Sequence, residues 1–395
     1  MKIIWITPEC PYPPNSGGRS GIWNRIIQFS KNNEIFLFSI ADEEDFKYIN
    51  EINKYCKETK FYKRKKTLNT IIKSIFYPYT AVSRWNKDMK KNINKTIERV
   101  NPDFIIIDSP QMLGILNKKD LEKQNIVLCQ HNIEYETLRN IANGIKNPIK
   151  KIIYYIVAKQ LELYERKSYK KNRFALVTFV SISDKKYFED KYKYTNTFLV
   201  PVGAYITDEI NNNGKDVVFV AKMSYPPNEE AAIWYLENVW DNVYKENHST
   251  KFYIVGKDPS ENIKQLAKKH KNVIVTGTVE SLKEYYDMAK IVVAPIFTGG
   301  GVNVKLLEAL GNGKLVITTP KGIEGTDFEK NVQVLVCEST EEFICECNKI
   351  LKNYDNYKDI VLNALNKMRN EYSWEKVVGK LEQELIKIKE QNNEE

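Results

Sequence analysis

The sequence predicts a two-domain α/β protein in which each domain is a doubly wound parallel sheet. Three observations carry this. The chain has 395 residues, more than one ordinary domain holds. Short apolar runs alternate with helix-length stretches, the order of βαβ units. This alternation occurs twice, on either side of a stretch without apolar periodicity.

In the first half, Lys2–Ile6, Glu34–Ile40, Phe104–Ile107, Ile126–Cys129 and Leu176–Val180 read as buried strands. The second series is Val217–Val220, Lys251–Val255, Asn272–Val275, Ile291–Ala294, Leu315–Thr318 and Gln333–Val336. Between these, Glu229–Trp240, Leu282–Ala289 and Val304–Leu310 carry helical periodicity. Pro201, Gly203 and the run Asn211-Asn212-Asn213-Gly214 mark the break. The expected domains are therefore 1–205 and 206–373. A last helical segment, 374–395, follows them.

Composition narrows the class. Hydrophobic residues make up 42% and charged residues 28%, as in a packed globular protein rather than a disordered chain. No apolar run approaches the roughly 18 residues a membrane span needs. Met1–Thr7 lacks the apolar core and cleavage site of a signal peptide. The 6 cysteines form no CxxC pair, which argues against a disulfide framework or a zinc site. The expectation is a reduced, cytoplasmic protein with no metal site and no cofactor.

Charge is uneven. Residues 1–210 hold 36 Lys and Arg against 23 Asp and Glu, and the remainder is mildly acidic. Such asymmetry points to an anionic partner for the front half. Two segments dominate it, 60–91 and 146–173. Both interleave basic residues with apolar ones, and in the second Ile149, Ile152, Ile153, Ile156 and Val157 recur at helical spacing. A basic amphipathic stretch can lie on an anionic membrane; the plain alternative is a solvated lysine face over an ordinary core stripe. No nucleic-acid motif accompanies the charge.

In open parallel sheets ligands bind beyond the carboxyl ends of strands. Two facing domains would set those ends across one cleft, so the loops after strands hold the candidates. The first runs from Thr7 through four prolines to Gly17-Gly18-Arg19 and opens a helix. Glycines there allow close approach, and helix N-terminal N–H groups attract anions. In the second, Thr298-Gly299-Gly300-Gly301 precedes a helix with Lys305 and Glu308 on one face. Consecutive glycines at a strand-to-helix junction suit a phosphate cradle; Lys305 adds a cation, and Glu308 can accept from sugar hydroxyls. The third is Gln130-His131-Asn132-Ile133-Glu134, where a strand-end histidine would point into the cleft. The fourth is Lys222, closing the first strand of the second half. No strand-end DxD, HExxH or GxSxG motif occurs.

Several of these stretches resemble the glycosyltransferases of family 4, which have the GT-B fold. Residues 290–326, "KIVVAPIFTGGGVNVKLLEALGNGKLVITTPKGIEGT", are similar to the donor-binding region of that family. "GGRSGIWNRI" at 17–26, "HNIEYE" at 131–136, "SISD" at 181–184, "VPVGA" at 200–204, "FVAKMSYPPNEEAAIWYLENVW" at 219–240 and "YSWEKVV" at 372–378 resemble it in the same order.

The resemblance implies two Rossmann-like domains facing across a cleft and a retaining, metal-independent transfer of sugar from a nucleotide-sugar donor. The acceptor would be a hydroxyl of a glycan, lipid-linked or protein substrate in surface polysaccharide or glycoconjugate synthesis, at or near the inner face of the plasma membrane. Lys222, Lys305 and Gly300, Gly301 and Val302, with Asn303 beside them, would hold the donor diphosphate, and Glu308 the ribose. His131 would contact the donor sugar. Gly17 and Gly18 would lie against the diphosphate, while Arg19, Asn132 and Glu134 would face the acceptor. The final helix would return to the first domain.

The chain departs from the family in three places. Gly300 stands where the family has a glutamate eight residues before Glu308; Asn303 stands where many relatives have Arg; and Pro226-Pro227-Asn228 occupies the region of a second phosphate-binding lysine. Two other readings remain open: a non-catalytic nucleotide-sugar-binding partner of another transferase, and a sugar-nucleotide epimerase on the same scaffold.

Overall fold

The structure is a computed structural model that describes residues 1–145 and 147–394. Lys146 and Glu395, the outermost residues of two segments singled out above, lie outside the described residues. The chain divides into two compact units. Unit 1 comprises Met1–Pro201 with Val377–Glu395, and unit 2 comprises Val202–Lys376.

Unit 1 is built on seven strands: β1 (Lys2–Thr7), β2 (Glu34–Ala41), β3 (Glu58–Lys63), β4 (Phe104–Asp108), β5 (Ile126–Gln130), β6 (Leu176–Phe179) and β7 (Thr197–Leu199). They pair in parallel in the order β3-β2-β1-β4-β5-β6-β7. Central strands are apolar throughout because helices cover both faces; Ile3 to Ile6 and Phe104 to Ile107 are fully buried. The two strands the sequence did not suggest, β3 and β7, are the sheet edges. Half-buried edge positions accept polar residues, so ETKFYK and TFL carry no continuous apolar run.

Unit 2 has six parallel strands: β8 (Asp216–Val220), β9 (Phe252–Val255), β10 (Val273–Gly277), β11 (Ala289–Ala294), β12 (Val316–Thr318) and β13 (Leu335–Val336). Their order, β10-β9-β8-β11-β12-β13, is the doubly wound arrangement in which the winding reverses between the first and fourth strands. Unit 1 reverses likewise between β1 and β4. The helix expected over Glu229–Trp240 starts earlier, at Pro226, where proline suits the first helical turn. It then passes through a wider turn at Leu236–Trp240 and runs to Glu246.

The terminal helix, Trp374–Glu394, groups with unit 1 from Val377 onward. Val377, Val378, Leu381 and Leu385 are buried. Asn33 donates to Glu382 at 2.6 Å and Lys389 pairs with Asp103 at 2.8 Å.

The two basic segments fold differently from the simplest expectation. Residues 60–91 are not one amphipathic stretch but the end of β3, two short helices (Leu68–Lys73 and Tyr79–Val82) and the start of the helix Lys87–Val100. Residues 148–171 do form one helix. Its core contacts come from Ala158, Leu161, Tyr164, Glu165 and Tyr169, whereas the stripe from Ile149 to Val157 is exposed.

Candidate functional site

Each unit presents strand ends and loops at its point of reversal. In unit 2 these are the loop after β8, carrying Lys222, and the loop after β11, carrying Gly299–Gly301. β8 and β11 are paired neighbours, so the two loops leave the same edge of adjacent strands. Gly299 and Gly301 have φ of 111° and 72°, values a residue with a Cβ rarely adopts. Glycine at positions 299 and 301 is therefore what this backbone path requires. A third glycine matters for the same place: a Cβ on Gly256, whose φ is 140°, would sit 1.8 Å from the Ala221 carbonyl oxygen. Only glycine lets β9 end so close to the Lys222 loop.

The turn encloses a small cavity lined by Tyr225, Pro227, Asn228, Thr298 to Gly301, Asn303, Lys305 and Lys321. Asn228 is buried; its amide nitrogen donates to the Lys222 carbonyl at 2.8 Å, while its Oδ1 has no hydrogen-bond partner among the described residues. Lys222 itself is exposed.

The helix Val304–Gly311 begins directly after the turn. Lys305 Nζ donates to Asn303 Oδ1 at 3.2 Å. Burial lowers the Lys305 ammonium to about 8, with Glu308 partly restoring it. Burial also raises the Glu308 carboxyl, opposed by Lys305. The pair thus sits in low dielectric with each charge as the other's main compensation. The Asn303 amide nitrogen donates to Gly322 O at 2.9 Å and ties the segment 320–323 to the turn. Gly300 is exposed, and Gly301 and Val302 are half-buried.

In unit 1 the strand-end histidine is part of a cluster that sequence reading missed. Asp108 ends β4 and is fully buried. Its Oδ1 accepts from Arg25 Nη2 at 2.7 Å and lies 3.1 Å from His131 Nε2, and its Oδ2 accepts from the Trp5 indole. Arg25 comes from the helix Gly17–Phe29, Trp5 from β1 and His131 from the loop after β5. Burial alone would raise the Asp108 carboxyl, but Arg25, then His131 and Trp5, hold it well below the ordinary carboxylate range. The sequence does contain a signal: an acid closing the otherwise wholly apolar strand FIIID.

The other unit 1 candidates are placed around this cluster with different partners. Gly17 and Gly18 are exposed at a helix N-terminus capped by the Ser16 hydroxyl. Arg19 is not available as a free cation, because it pairs with Asp45 at 3.0 Å and Glu9 at 3.3 Å. Glu134 opens the helix Glu134–Gly144. Burial raises its carboxyl, while Arg84, His131 and Gln111 act against that. Arg84 donates to Gln111 Oε1 at 2.9 Å and to Pro8 O at 3.1 Å, which ties the first loop to this region. Asn132 is half-exposed beside His131.

Residues 214–353 match the family model "Glycosyl transferases group 1". Over 399 aligned residues the chain is 27% identical to an "Uncharacterized 44.6 kDa protein in cps region" of Klebsiella pneumoniae, covering 96% of this chain and 98% of that one. A glycosyltransferase from Rickettsia africae superposes with a TM-score of 0.67 at 15% identity, over 98% of both chains. WaaG, described as a glycosyltransferase involved in lipopolysaccharide biosynthesis, gives 0.64 at 14% identity, over 96% of this chain and 98% of its own. Anabaena HepE, solved in complex with UDP, gives 0.64 at 12% identity, over 98% and 100%. The glycine turn, Lys222, Lys305 and Glu308 all fall inside the matched segment, at the strand ends where an α/β unit binds its ligand. The chain accordingly has the GT-B fold, and the similarity of residues 214–353 in its second unit to group 1 glycosyltransferases supports a glycosyltransferase enzyme.

Proposed function

We propose that the chain moves a sugar from a nucleotide-sugar donor to a hydroxyl of a glycan or lipid-linked acceptor, retaining anomeric configuration and using no metal at the diphosphate. The observation that carries this reading is the glycine turn of unit 2, with Lys305 on the helix it opens. As the glycosidic C–O bond breaks, its electron pair stays on the diphosphate oxygen. The acceptor hydroxyl oxygen forms the new bond to that carbon and gives up its proton to the departing diphosphate oxygen, so that nucleoside diphosphate leaves. Main-chain N–H groups of the turn, the N-terminus of the helix Val304–Gly311, Lys305 and the exposed Lys222 are the groups that would meet the growing negative charge. Glu308 would hold the ribose hydroxyls, and the His131 cluster would act on the sugar. UDP in the HepE complex supports a nucleotide-linked donor. The described role of WaaG supports an acceptor in surface polysaccharide or glycoconjugate synthesis. The setting we infer is the cytoplasm, with peripheral contact at the inner face of the membrane through 60–91 and 146–173.

Release of nucleoside diphosphate from a panel of nucleotide sugars, with and without EDTA, tests the proposal. Lys305→Ala and Glu308→Ala are each expected to lower kcat/KM for the donor at least about tenfold, the scale of losing one fixed transition-state contact. Wild-type kinetics in both variants would remove the donor-site assignment. Donor binding without turnover on any acceptor would convert the chain into a binding partner. Loss of activity in EDTA that returns with a divalent ion would overturn metal independence.

A further inference from the structure

Unit 1 carries an apolar surface that folding leaves uncovered. Leu68, Ile71, Ile72 and Ile75 recur at the spacing of one helical face, and that face points outward. Ile149, Ile152, Ile153 and Ile156 repeat the same spacing on the helix Pro148–Lys171, and they too are exposed. Ile75, Phe76 and Ile149 are 71%, 76% and 70% exposed. In an ordinary surface helix this stripe would face the core; here both are turned inside out.

The two stripes belong to one surface. The Gln160 amide, from the long helix, donates to the carbonyls of Ser74 at 2.7 Å and Ile75 at 3.2 Å. A contiguous apolar patch of this kind marks a contact site rather than chance exposure. The charge around it is mainly positive. No acidic residue occurs from Thr59 to Lys87 or from Asn147 to Leu161, and Lys66, Lys73 and Lys150 are exposed there; Lys63 and Lys159, also exposed, pair with Glu43 at 2.9 Å and Glu162 at 3.0 Å at its margin.

We infer that this surface inserts its isoleucines and Phe76 into the interfacial layer of an anionic phospholipid bilayer, with the surrounding lysines on the headgroups. The inference deepens the peripheral contact proposed above and rests on that reading of where the acceptor lies. Charge complementarity selects the occupant. Apolar side chains enter the acyl boundary while a cationic rim is drawn to anionic lipid; a second copy of the chain would set like-charged rims against each other. No helix among the described residues is long and apolar enough to cross a membrane, so contact here is contact with the surface.

Co-sedimentation with vesicles of phosphatidylcholine containing phosphatidylglycerol tests this on the full chain. Wild type is expected to bind these vesicles and to bind pure phosphatidylcholine far less. Ile71→Ser/Ile75→Ser/Phe76→Ser and Ile152→Ser/Ile153→Ser/Ile156→Ser are each expected to weaken binding at least about tenfold, because each variant withdraws several buried methylenes from the bilayer. Both sets replace exposed side chains, so unchanged circular dichroism separates lost binding from lost folding. Diphosphate release with a soluble acceptor should persist in both. This keeps failure of the docking surface distinct from failure of the glycosyltransferase reading. Wild-type vesicle binding by both variants overturns the inference. So does a dimer in solution that these substitutions dissociate without any vesicle binding by wild type.

Discussion

Replacing Asp108 by Asn leaves the shape of the unit 1 cluster nearly unchanged and removes its charge. Arg25, fully buried with its guanidinium 2.7 Å from Asp108, would then lie in the interior without a counter-ion. Breaking a buried pair by neutralising one member costs about 3–5 kcal/mol, because the surviving charge keeps its desolvation penalty. The Trp5 indole and His131 would each exchange a charge-assisted bond for a weaker neutral one. At a urea dependence of about 3 kcal/mol per molar, a loss of 3 kcal/mol lowers the midpoint by about 1 M. Equilibrium urea unfolding of wild type, Asp108→Asn, Arg25→Met and the double variant measures this. The double variant, freed of the orphan charge, should recover at least part of the loss. Turnover reads the same cluster independently. Without its carboxylate partner His131 loses orientation, so kcat should fall while donor KM, a property of unit 2, holds. A wild-type midpoint for Asp108→Asn, or strictly additive losses across the cycle, would refute the coupling argued from the geometry.

Two predictions concern pH. Burial places the Lys305 ammonium near 8; a diphosphate favours its charged form, so donor KM should rise as pH passes upward through about 8, and Lys305→Arg, which stays charged, should flatten that limb. A flat wild-type profile from pH 7 to 9 would contradict it. Glu165 is fully buried, and burial, reinforced by Glu134, raises its carboxyl to about 8. Its folded value exceeds the unfolded one of roughly 4.3, so this group is neutral at no cost below that value and destabilises progressively as pH climbs toward 8. Glu165→Gln should therefore gain stability over wild type at pH 8.5 and gain little at pH 5, measured by urea midpoints; equal differences at both would refute the assignment.

Much of this architecture could be read from the sequence, for a physical reason that also sets the limit. Central parallel strands are buried on both faces, so Ile3 to Ile6 or Ile291 to Ala294 announce themselves as apolar runs. β3 and β7 do not, because an edge strand buries too little to need one. Lys305 and Glu308 were legible together since helical spacing alone puts them on one face. The ion pairs of Arg19 were not legible because its partners arrive from elsewhere: Asp45 lies 26 residues on, across β2. The same non-locality hid the Asp108 cluster, assembled from four separate elements. The isoleucine stripe of 149–157 shows a different limit. Periodicity gives a face; it does not say whether that face looks inward or outward.

The two units share a winding reversal but not an electrostatic plan, and this bears on where an anion can be held. In unit 1 the positive end of the helix Gly17–Phe29 is already answered. Ser16 caps it, Glu9 Oε1 stands 3.2 Å from where a Cβ on Gly18 would be, and Arg19 has both Glu9 and Asp45. A diphosphate entering there would meet carboxylates before it met an unpaired cation. The turn of unit 2 is the opposite case. Lys222 is exposed, burial lowers the Lys305 ammonium to about 8, and the glycines of the turn carry backbone N–H groups without side chains of their own. An added negative charge would raise the Lys305 value again and find the helix N-terminus of Val304–Gly311 behind it. The gain from binding an anion is therefore concentrated in unit 2. By the same reasoning the absence of Arg at position 303 is tolerable there: Asn303 gives up charge but secures the segment 320–323 that walls the cavity.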